Sequence, residues 1–465
     1  MHIRISKLLM VYIIFKSFII CSNQMNFNAM APLHVMHYYD PNIEESKDWD
    51  LLRKQLIECK EMGIDAISVD VWWGLVEKKN NKFDWEYYFK IFKEITSKNL
   101  DIIPIISFHS FDPGINSNFR APLPDWIWQY ISEESGLDII DLKYNSEDMD
   151  ENGVHKISDE YISLWVNQWA LPQYQDFISE FVFTFEDYFK YFQEINISLG
   201  PTGELRYPSY NNHDGGAYPN RGRMQCFSKP AKSDYLEWLK KIKSKKNLST
   251  SSFIESNNLK TILENEDYLN NNDIKDLFEW YNYSLMNHGN KMLKMALGII
   301  PENIPIGFKI PGIHWRIKDP KMPRISEMTC GLINSRSLNG SLAYFNSLGI
   351  VLKDLPVERL ILHFTCIEQK NPVPSADIST GYSRPEDLVA EVSSAAKDLS
   401  IKLKGENSLA KNLYKSSSWR KIEEVISNEN YSGVTIMRVG DITEKNPIGK
   451  SEYKKIIKKL KKPLK

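Results

Sequence analysis

Short, nearly continuous apolar runs alternate with amphipathic segments along almost the whole chain. Eight runs have strand-forming composition: His34–Tyr39, Ala66–Trp73, Asp101–His109, Glu194–Leu199, Ile306–His314, Arg359–Cys366, Ile401–Lys404 and Gly433–Val439. Continuous apolar character, rather than strict alternation, is what strands buried on both faces show. The segments between them carry helical stripes. Leu52, Leu56 and Cys59 share one face; so do Trp85, Tyr88, Phe89, Phe92 and Ile95, and near the end Tyr453, Ile456, Ile457 and Leu460. Strand and helix in alternation predict a parallel sheet. Eight such units predict an α/β fold closed as a (β/α)8 TIM-type barrel.

Two stretches are too long for simple connections: Ser110–Ala170 after the third run and Pro201–Asn271 after the fourth. Loops that follow barrel strands surround the catalytic mouth, so these two predict the walls of a cleft. Within the second, Ser244–Ser252 reads as a partly ordered insertion. The C-terminal Lys454–Lys465 reads as the last barrel helix with a basic, solvated face. The chain thus reads as a single catalytic barrel over residues 25–465, with insertions at about 110–170 and 201–271 and no solenoid or propeller repeat.

The first 24 residues differ from the rest. Arg4 and Lys7 precede an apolar stretch from Leu8 to Ile20, and Cys21, Ser22 and Asn23 follow. This reads as a secretory signal, too short to span a membrane comfortably. It predicts a secreted or lumenal protein without membrane association after cleavage. Five N-x-Ser triplets, at Asn196, Asn247, Asn282, Asn339 and Asn430, fit that route but arise readily in an Asn- and Ser-rich chain. Cys59, Cys226, Cys330 and Cys366 show no metal-binding spacing and read as buried apolar residues.

Composition narrows the function little. The formal net charge of −2 gives no reason to expect nucleic acid as a partner. The 12 Trp, 23 Tyr and 21 Phe supply a core and could also line a sugar-binding cleft, since the apolar face of a pyranose stacks on aromatic rings.

The chemistry is sharper. Barrel enzymes place reactive groups at the C-terminal ends of strands, and seven of the eight runs end in polar residues. Asp70 ends the second, His109 the third, and Glu204 follows the fourth. Lys309, His314 and Trp315 belong to the fifth, Thr365 and Glu368 to the sixth, Glu406 to the seventh, Arg438 and Asp441 to the eighth. Two carboxyl groups across one mouth permit glycoside hydrolysis, one as acid and one as nucleophile or base. Glu204 and Glu406 stand on opposite sides of the barrel, which favours a wide gap and inversion. His109, His314, Lys309 and Arg438 would donate to sugar hydroxyls and Asp70 would accept. Trp72, Trp73 and Trp315 could stack on sugar or belong to the core. Glu368 could equally be functional or an ion-pair partner. Arg206 and Tyr207 would order the loop around Glu204 or tune it.

The run Gly200 to Tyr210, reading Gly-Pro-Thr-Gly-Glu-Leu-Arg-Tyr-Pro-Ser-Tyr, resembles the acid-bearing signature of the β-amylases. Val69 to Gly74 around Asp70, Lys309 with Gly312 to Trp315, Phe364 to Cys366 with Glu368, Gly405 to Asn407, and Met437-Arg438 near Asp441 match the same family in order. The resemblance implies an inverting hydrolase that cuts α-1,4-glucan (starch, glycogen or maltooligosaccharide) from the non-reducing end and releases β-maltose. It implies Glu204 as general acid and Glu406 as general base. Asp70, His109, Lys309, His314, Trp315, Thr365, Asn407, Ser408 and Arg438 would contact substrate. No metal or cofactor is implied, and the expected state is a monomer. A mildly acidic optimum with two limbs follows if one carboxyl must be protonated and the other ionised.

The chain departs from the family where a Gly-rich lid normally follows the histidine. Here Ser110 to Ser117 reads Ser-Phe-Asp-Pro-Gly-Ile-Asn-Ser, so Ser117 takes the lid aspartate's place unless Asp112 substitutes, and Pro113 should stiffen the loop. Arg316 replaces a second Trp beside Trp315, and the segment after Asn407 is also altered. A catalytically weak or inactive glucan-binding protein of the same family is therefore the alternative reading.

Overall fold

Eight parallel strands close into a barrel because their inward and outward faces both meet apolar neighbours. In chain order the strands are β1 (Asn26–Met30), β2 (Ala66–Trp72), β3 (Asp101–Ser107), β4 (Tyr144–Met149), β5 (His155–Ser158), β6 (Ile195–Ile197), β7 (Ile306–Ile310), β8 (Leu360–Phe364), β9 (Lys402–Glu406) and β10 (Tyr431–Ile436). The barrel runs β1-β10-β9-β8-β7-β6-β3-β2 and closes on itself, while β4 and β5 form a separate antiparallel pair. β2 is buried at all seven positions and β8 at all five, as the continuous apolar runs predict. The computed structural model describes residues 25–35, 45–112, 119–244, 253, 256–265, 267–428 and 430–461.

Seven of the eight predicted runs overlap a barrel strand. The first does not. β1 is Asn26–Met30, and His34 and Val35 lie in the connection after it; the rest of the predicted run lies outside the described residues. The two asparagines of β1 read as turn residues in sequence. Asn28 is nevertheless wholly buried, and its amide donates to Gln193 Oε1 at 3.0 Å. A polar partner inside the barrel overrides the apolar pattern there.

The helical stripes face the barrel as predicted. Leu52, Leu56 and Cys59 are buried on Glu45–Met62; Tyr88, Phe92 and Ile95 are buried on Glu86–Thr96. Phe89 is the exception, 43% exposed, with its ring against Phe185 at 4.8 Å. The last helix, Pro447–Leu460, buries Tyr453, Ile456 and Ile457, and the Tyr453 hydroxyl donates to the Asn28 carbonyl at 2.9 Å. All four described cysteines are buried and free, and burial pushes the Cys330 thiol up to about 12. No helix among the described residues is long and apolar enough to cross a membrane.

The excursion after β3 is folded: it holds the helix Trp126–Ser135, the β4–β5 pair and the start of the helix Asn167–Thr184. The excursion after β6 carries the acid-bearing loop and the helix Lys229–Ile242. Residues 245–252, all but the first of the predicted insertion, and the proposed signal at 1–24 lie outside the described residues. Of the N-x-Ser triplets, Asn282 is buried, with its amide donating to the Gly331 carbonyl at 2.8 Å. Asn196 faces a cavity inside the barrel, so neither side chain could carry a glycan in the folded protein.

Candidate active site

A cavity of about 320 Å³ opens at the C-terminal ends of the barrel strands. Nine of the eleven predicted site residues line it: Asp70, His109, Glu204, Lys309, Thr365, Glu406, Asn407, Ser408 and Arg438. They arrive on seven strands or the loops that follow them, so no local segment could assemble the site alone.

Glu204 is placed by backbone pairing. It follows a tight turn at Pro201–Gly203, and its own residue bridges in parallel to Lys309 of β7. Leu205 N–H donates to the Lys309 carbonyl at 2.8 Å, which stitches the loop to that strand. The turn is tight enough that a Cβ on Gly200 would lie 2.5 Å from the Glu204 carbonyl oxygen. Only a residue without a side chain fits there. Glu204 Oε2 accepts from Thr202 Oγ1 and from Arg206 Nε, each at 3.1 Å. Burial works against the Arg206 charge, but Glu204 and Glu160 outweigh it and raise its pKa. Glu204 Oε1 accepts no hydrogen bond among the described residues.

Glu406 ends β9, and its Oε1 lies 2.6 Å from Lys309 Nζ. Burial would strip the Lys309 proton, yet Glu406, Glu204 and Asp70 together raise its pKa. Asp70 Oδ2 receives Arg438 NH1 at 3.1 Å, and the same nitrogen donates to the Ala31 carbonyl at 2.8 Å. Three carboxylates and three cations therefore interleave around one mouth.

The other predicted residues divide by how their polar atoms are used. His109 Nδ1 meets Ser198 Oγ at 2.9 Å; burial, with Lys309 and Arg206 nearby, lowers its pKa to about 3, so the ring is neutral at any working pH. Thr365 Oγ1 accepts from the Gly312 N–H at 2.7 Å. A Cβ on Gly312 would meet Cys366 Sγ at 2.6 Å, so the two loops touch only because residue 312 has none. Asn407 is fully buried: its Oδ1 accepts from Met437 N–H at 2.8 Å and its Nδ2 donates to the Met437 carbonyl at 3.3 Å. It thus clamps the end of β9 to the end of β10. Ser408 donates from its backbone and hydroxyl to Glu368, at 3.1 and 3.0 Å.

His314 and Trp315 do not line this cavity. His314 Nδ1 lies 2.8 Å from Ser383 Oγ, and burial lowers its pKa to about 4. Trp315 stands edge-on to Tyr210 and Tyr218, with centroids 5.1 and 4.8 Å apart, and its indole N–H donates to the Tyr210 hydroxyl. Trp72 and Trp73 are core residues, 1% and 0% exposed, although an edge of Trp72 reaches the cavity. Among the described residues Glu368 has no cation: it accepts from Ser408, Leu409 and Asn412, all on the loop after β9. Of the lid, Asp112 pairs with Arg120 at 3.5 Å in an exposed position; residues 113–118 lie outside the described residues.

The comparisons with known proteins agree with this geometry. Residues 30–463 match the family described as Glycosyl hydrolase family 14. The chain belongs to that family. It is 29% identical over 452 residues to a thermophilic beta-amylase of Thermoanaerobacterium thermosulfurigenes, covering 94% of this chain and 76% of that one. It is 30% identical over 437 residues to a beta-amylase of Cytobacillus firmus, covering 90% and 85%. Among solved structures, the catalytic domain of the Paenibacillus polymyxa beta-amylase superposes with a TM-score of 0.78 at 29% identity, over 95% of this chain and 99% of that one. A β-galactosidase from G. stearothermophilus, at 13% identity and a TM-score of 0.53, shares the barrel alone. As a family 14 protein the chain is a glycoside hydrolase, and the family implies an α-glucan substrate.

Sequence reasoning missed several partners and lining residues of this family 14 site, among them Ser198, Thr202, Ser383 and Asn196. Ser198 and Ser383 fix the His109 and His314 rings, but nothing in the sequence pairs them. Asn196 is the polar residue of β6, and it lines the cavity together with its neighbour Ile197.

Proposed function

We propose that this protein is a β-amylase that hydrolyses α-1,4-glucosidic bonds from non-reducing ends and releases β-maltose with inversion. The observation that carries the reading is that, of the three carboxylates lining one cavity, Glu204 and Glu406 come from β6 and β9 on opposite sides of the barrel, each with one oxygen held by a cation and the other left to the cavity. In this reading Glu204 donates a proton from Oε1 to the leaving glucosidic oxygen. Arg206 and Thr202 fix its other oxygen and so fix the direction of that proton. Glu406 accepts a proton from water through Oε2 while Lys309 holds Oε1. The water attacks the anomeric carbon from the face opposite the leaving group, which inverts its configuration. Asp70 and Arg438, locked to each other, offer an acceptor and donors to the hydroxyls of the terminal sugar.

The test is product analysis on soluble starch and maltopentaose, with anomeric form followed by NMR. Maltose appearing first as the β-anomer supports the reading. The α-anomer, or a ladder of mixed oligomers, overturns it. Glucan binding without any product would instead favour the glucan-binding alternative.

A further inference from the structure

A second cavity lies on the outside of the barrel, between the helices Asn167–Thr184, Lys229–Ile242 and Asn272–Leu297. At about 730 Å³ it is more than twice the volume of the catalytic cavity and shares no lining residue with it. Its size falls within the range of small-molecule and saccharide pockets.

Its aromatic residues are the informative part. This chain stacks its rings on one another almost everywhere; Trp73, for example, touches Phe108, Trp126, Tyr174 and Phe177. Trp169 and Tyr283 break the pattern. Among the described residues neither ring packs against another aromatic ring or a cation, and both line this cavity. Tyr283 is 42% exposed and Trp169 is half-buried. Two large rings left partly exposed at one concave site are costly to hydrate and offer apolar surface to a ligand.

The polar groups point to a neutral ligand. Gln168 and Asn287 line the same cavity, and among the described residues neither amide is bonded to another protein group. Asn287 lies one helical turn from Tyr283, and Gln168 is next to Trp169. Most charges at the rim are engaged: Lys241 pairs with Glu237, Lys229 with Asp138 and Asp141, and Asp234 accepts from the Trp280 indole, while Lys291 adds a further cation. The floor is rigid. Asn167 Nδ2 donates to His288 Nδ1 at 2.9 Å, and His288 Nε2 donates to the Leu199 carbonyl at 3.1 Å. Apolar ring faces beside unclaimed amide donors and acceptors suit a polyhydroxylated chain.

We propose that this groove is a second α-glucan-binding site, which holds a starch or glycogen chain on the enzyme away from the catalytic cavity, with Trp169 and Tyr283 as platforms and Gln168 and Asn287 bonding hydroxyls. The choice of glucan rests on the β-amylase reading above. The test uses the full chain. In a Glu204→Gln background, which binds without cutting, retardation in an amylopectin-containing native gel is compared with and without Tyr283→Ala, Trp169→Ala and the double change. In the otherwise unaltered protein, kinetics are compared on amylopectin and on maltopentaose. Each single change is expected to weaken amylopectin binding about three- to tenfold and to raise KM for amylopectin similarly, with maltopentaose kinetics unchanged. Tyr283→Ala, at an exposed position, keeps the test open should Trp169→Ala fold poorly. Retardation unchanged by Tyr283→Ala and by the double change overturns the site, even if starch is cleaved normally. Loss of retardation on these changes supports the site, even if the unaltered chain proves unable to cleave glucan.

Discussion

Buried carboxylates at two levels of the same barrel are held in opposite ways. Below the mouth, Glu194 is wholly buried outside the catalytic cavity, with a nitrogen close to each oxygen: Lys404 Nζ donates to Oε2 at 2.7 Å and His363 Nε2 lies 2.7 Å from Oε1. Burial alone would raise its pKa, but Lys404, then His363, outweigh that and lower it to about 2. One layer above, Glu204 and Glu406 each give one oxygen to a cation and present the other to a cavity. Lys404 and Glu406 even share the inward face of β9, two residues apart. A paired carboxylate inside a barrel is therefore not evidence of function in itself. The free oxygen and the space beside it make the difference, and both are invisible to a reading of residue types.

The largest test of that contrast exchanges activity for stability between the two levels. Glu204→Gln and Glu406→Gln should each lower kcat on maltopentaose by about 10²- to 10⁴-fold, the range that acid–base groups contribute. Thermal midpoints should stay within a few degrees of the unaltered protein. Activity surviving either change would remove that residue from the chemistry.

Next in size, Lys404→Met leaves the Glu194 charge buried beside His363 alone. Breaking such a pair costs about 3–5 kcal/mol, and urea unfolding measures it. Where the variant still folds, maltopentaose KM should be unchanged, because Lys404 does not line the catalytic cavity. A change smaller than about 1 kcal/mol would mean that the lower cluster is not a closed electrostatic unit.

Much of this architecture was legible in the sequence, for a physical reason. Strands buried on both faces write continuous apolar runs, so seven of eight barrel strands were found. β1 was missed because Asn26 and Asn28 hide a buried strand behind turn-forming residues. The site carboxylates were legible because their loops must begin or end at strand tips. Ring orientation was not: Trp72, Trp73 and Trp315 are the same residue type, yet two are core and one stands in a wall with Tyr210 and Tyr218. Likewise the groove of Trp169 and Tyr283 joins residues over a hundred positions apart, and only the folded chain shows that both line one cavity and stay partly exposed among the described residues.

A third effect comes from histidines that burial keeps neutral. His109 is lowered to about 3, and His288 and His314 to about 4. A histidine with a lowered native pKa binds its proton more readily when unfolded. Its contribution is complete above the unfolded value near 6.5 and falls as pH drops toward 4. At pH 5 one such group has lost about 2 kcal/mol. Glu77 and Glu160, raised by burial, act in the opposite sense, so a single substitution isolates the effect. His288→Gln, which can still donate to Leu199, should flatten the fall in urea midpoint between pH 6.5 and 5. An unchanged slope would locate the acid sensitivity elsewhere.

The smallest expected effect concerns Glu368, a carboxylate at the mouth that belongs to neither class. It is buried and takes no cation, and its oxygens accept from Ser408, Leu409 and Asn412. It fixes the loop that immediately follows Glu406 and Asn407, so it acts on the base only through backbone position. Glu368→Gln keeps one acceptor oxygen and loses the charge-assisted strength of these bonds, which costs about 1–2 kcal/mol in urea unfolding. KM for maltopentaose should rise a few-fold as Ser408 and Asn407 loosen, while kcat changes less. The decisive readout is the pH–rate profile. A positioning residue leaves both limbs where they were, since it exchanges no proton with substrate. Loss of one limb in Glu368→Gln would make it a participant in proton transfer, and a free oxygen facing a cavity would no longer be what separates the carboxylates that react from those that hold the barrel together.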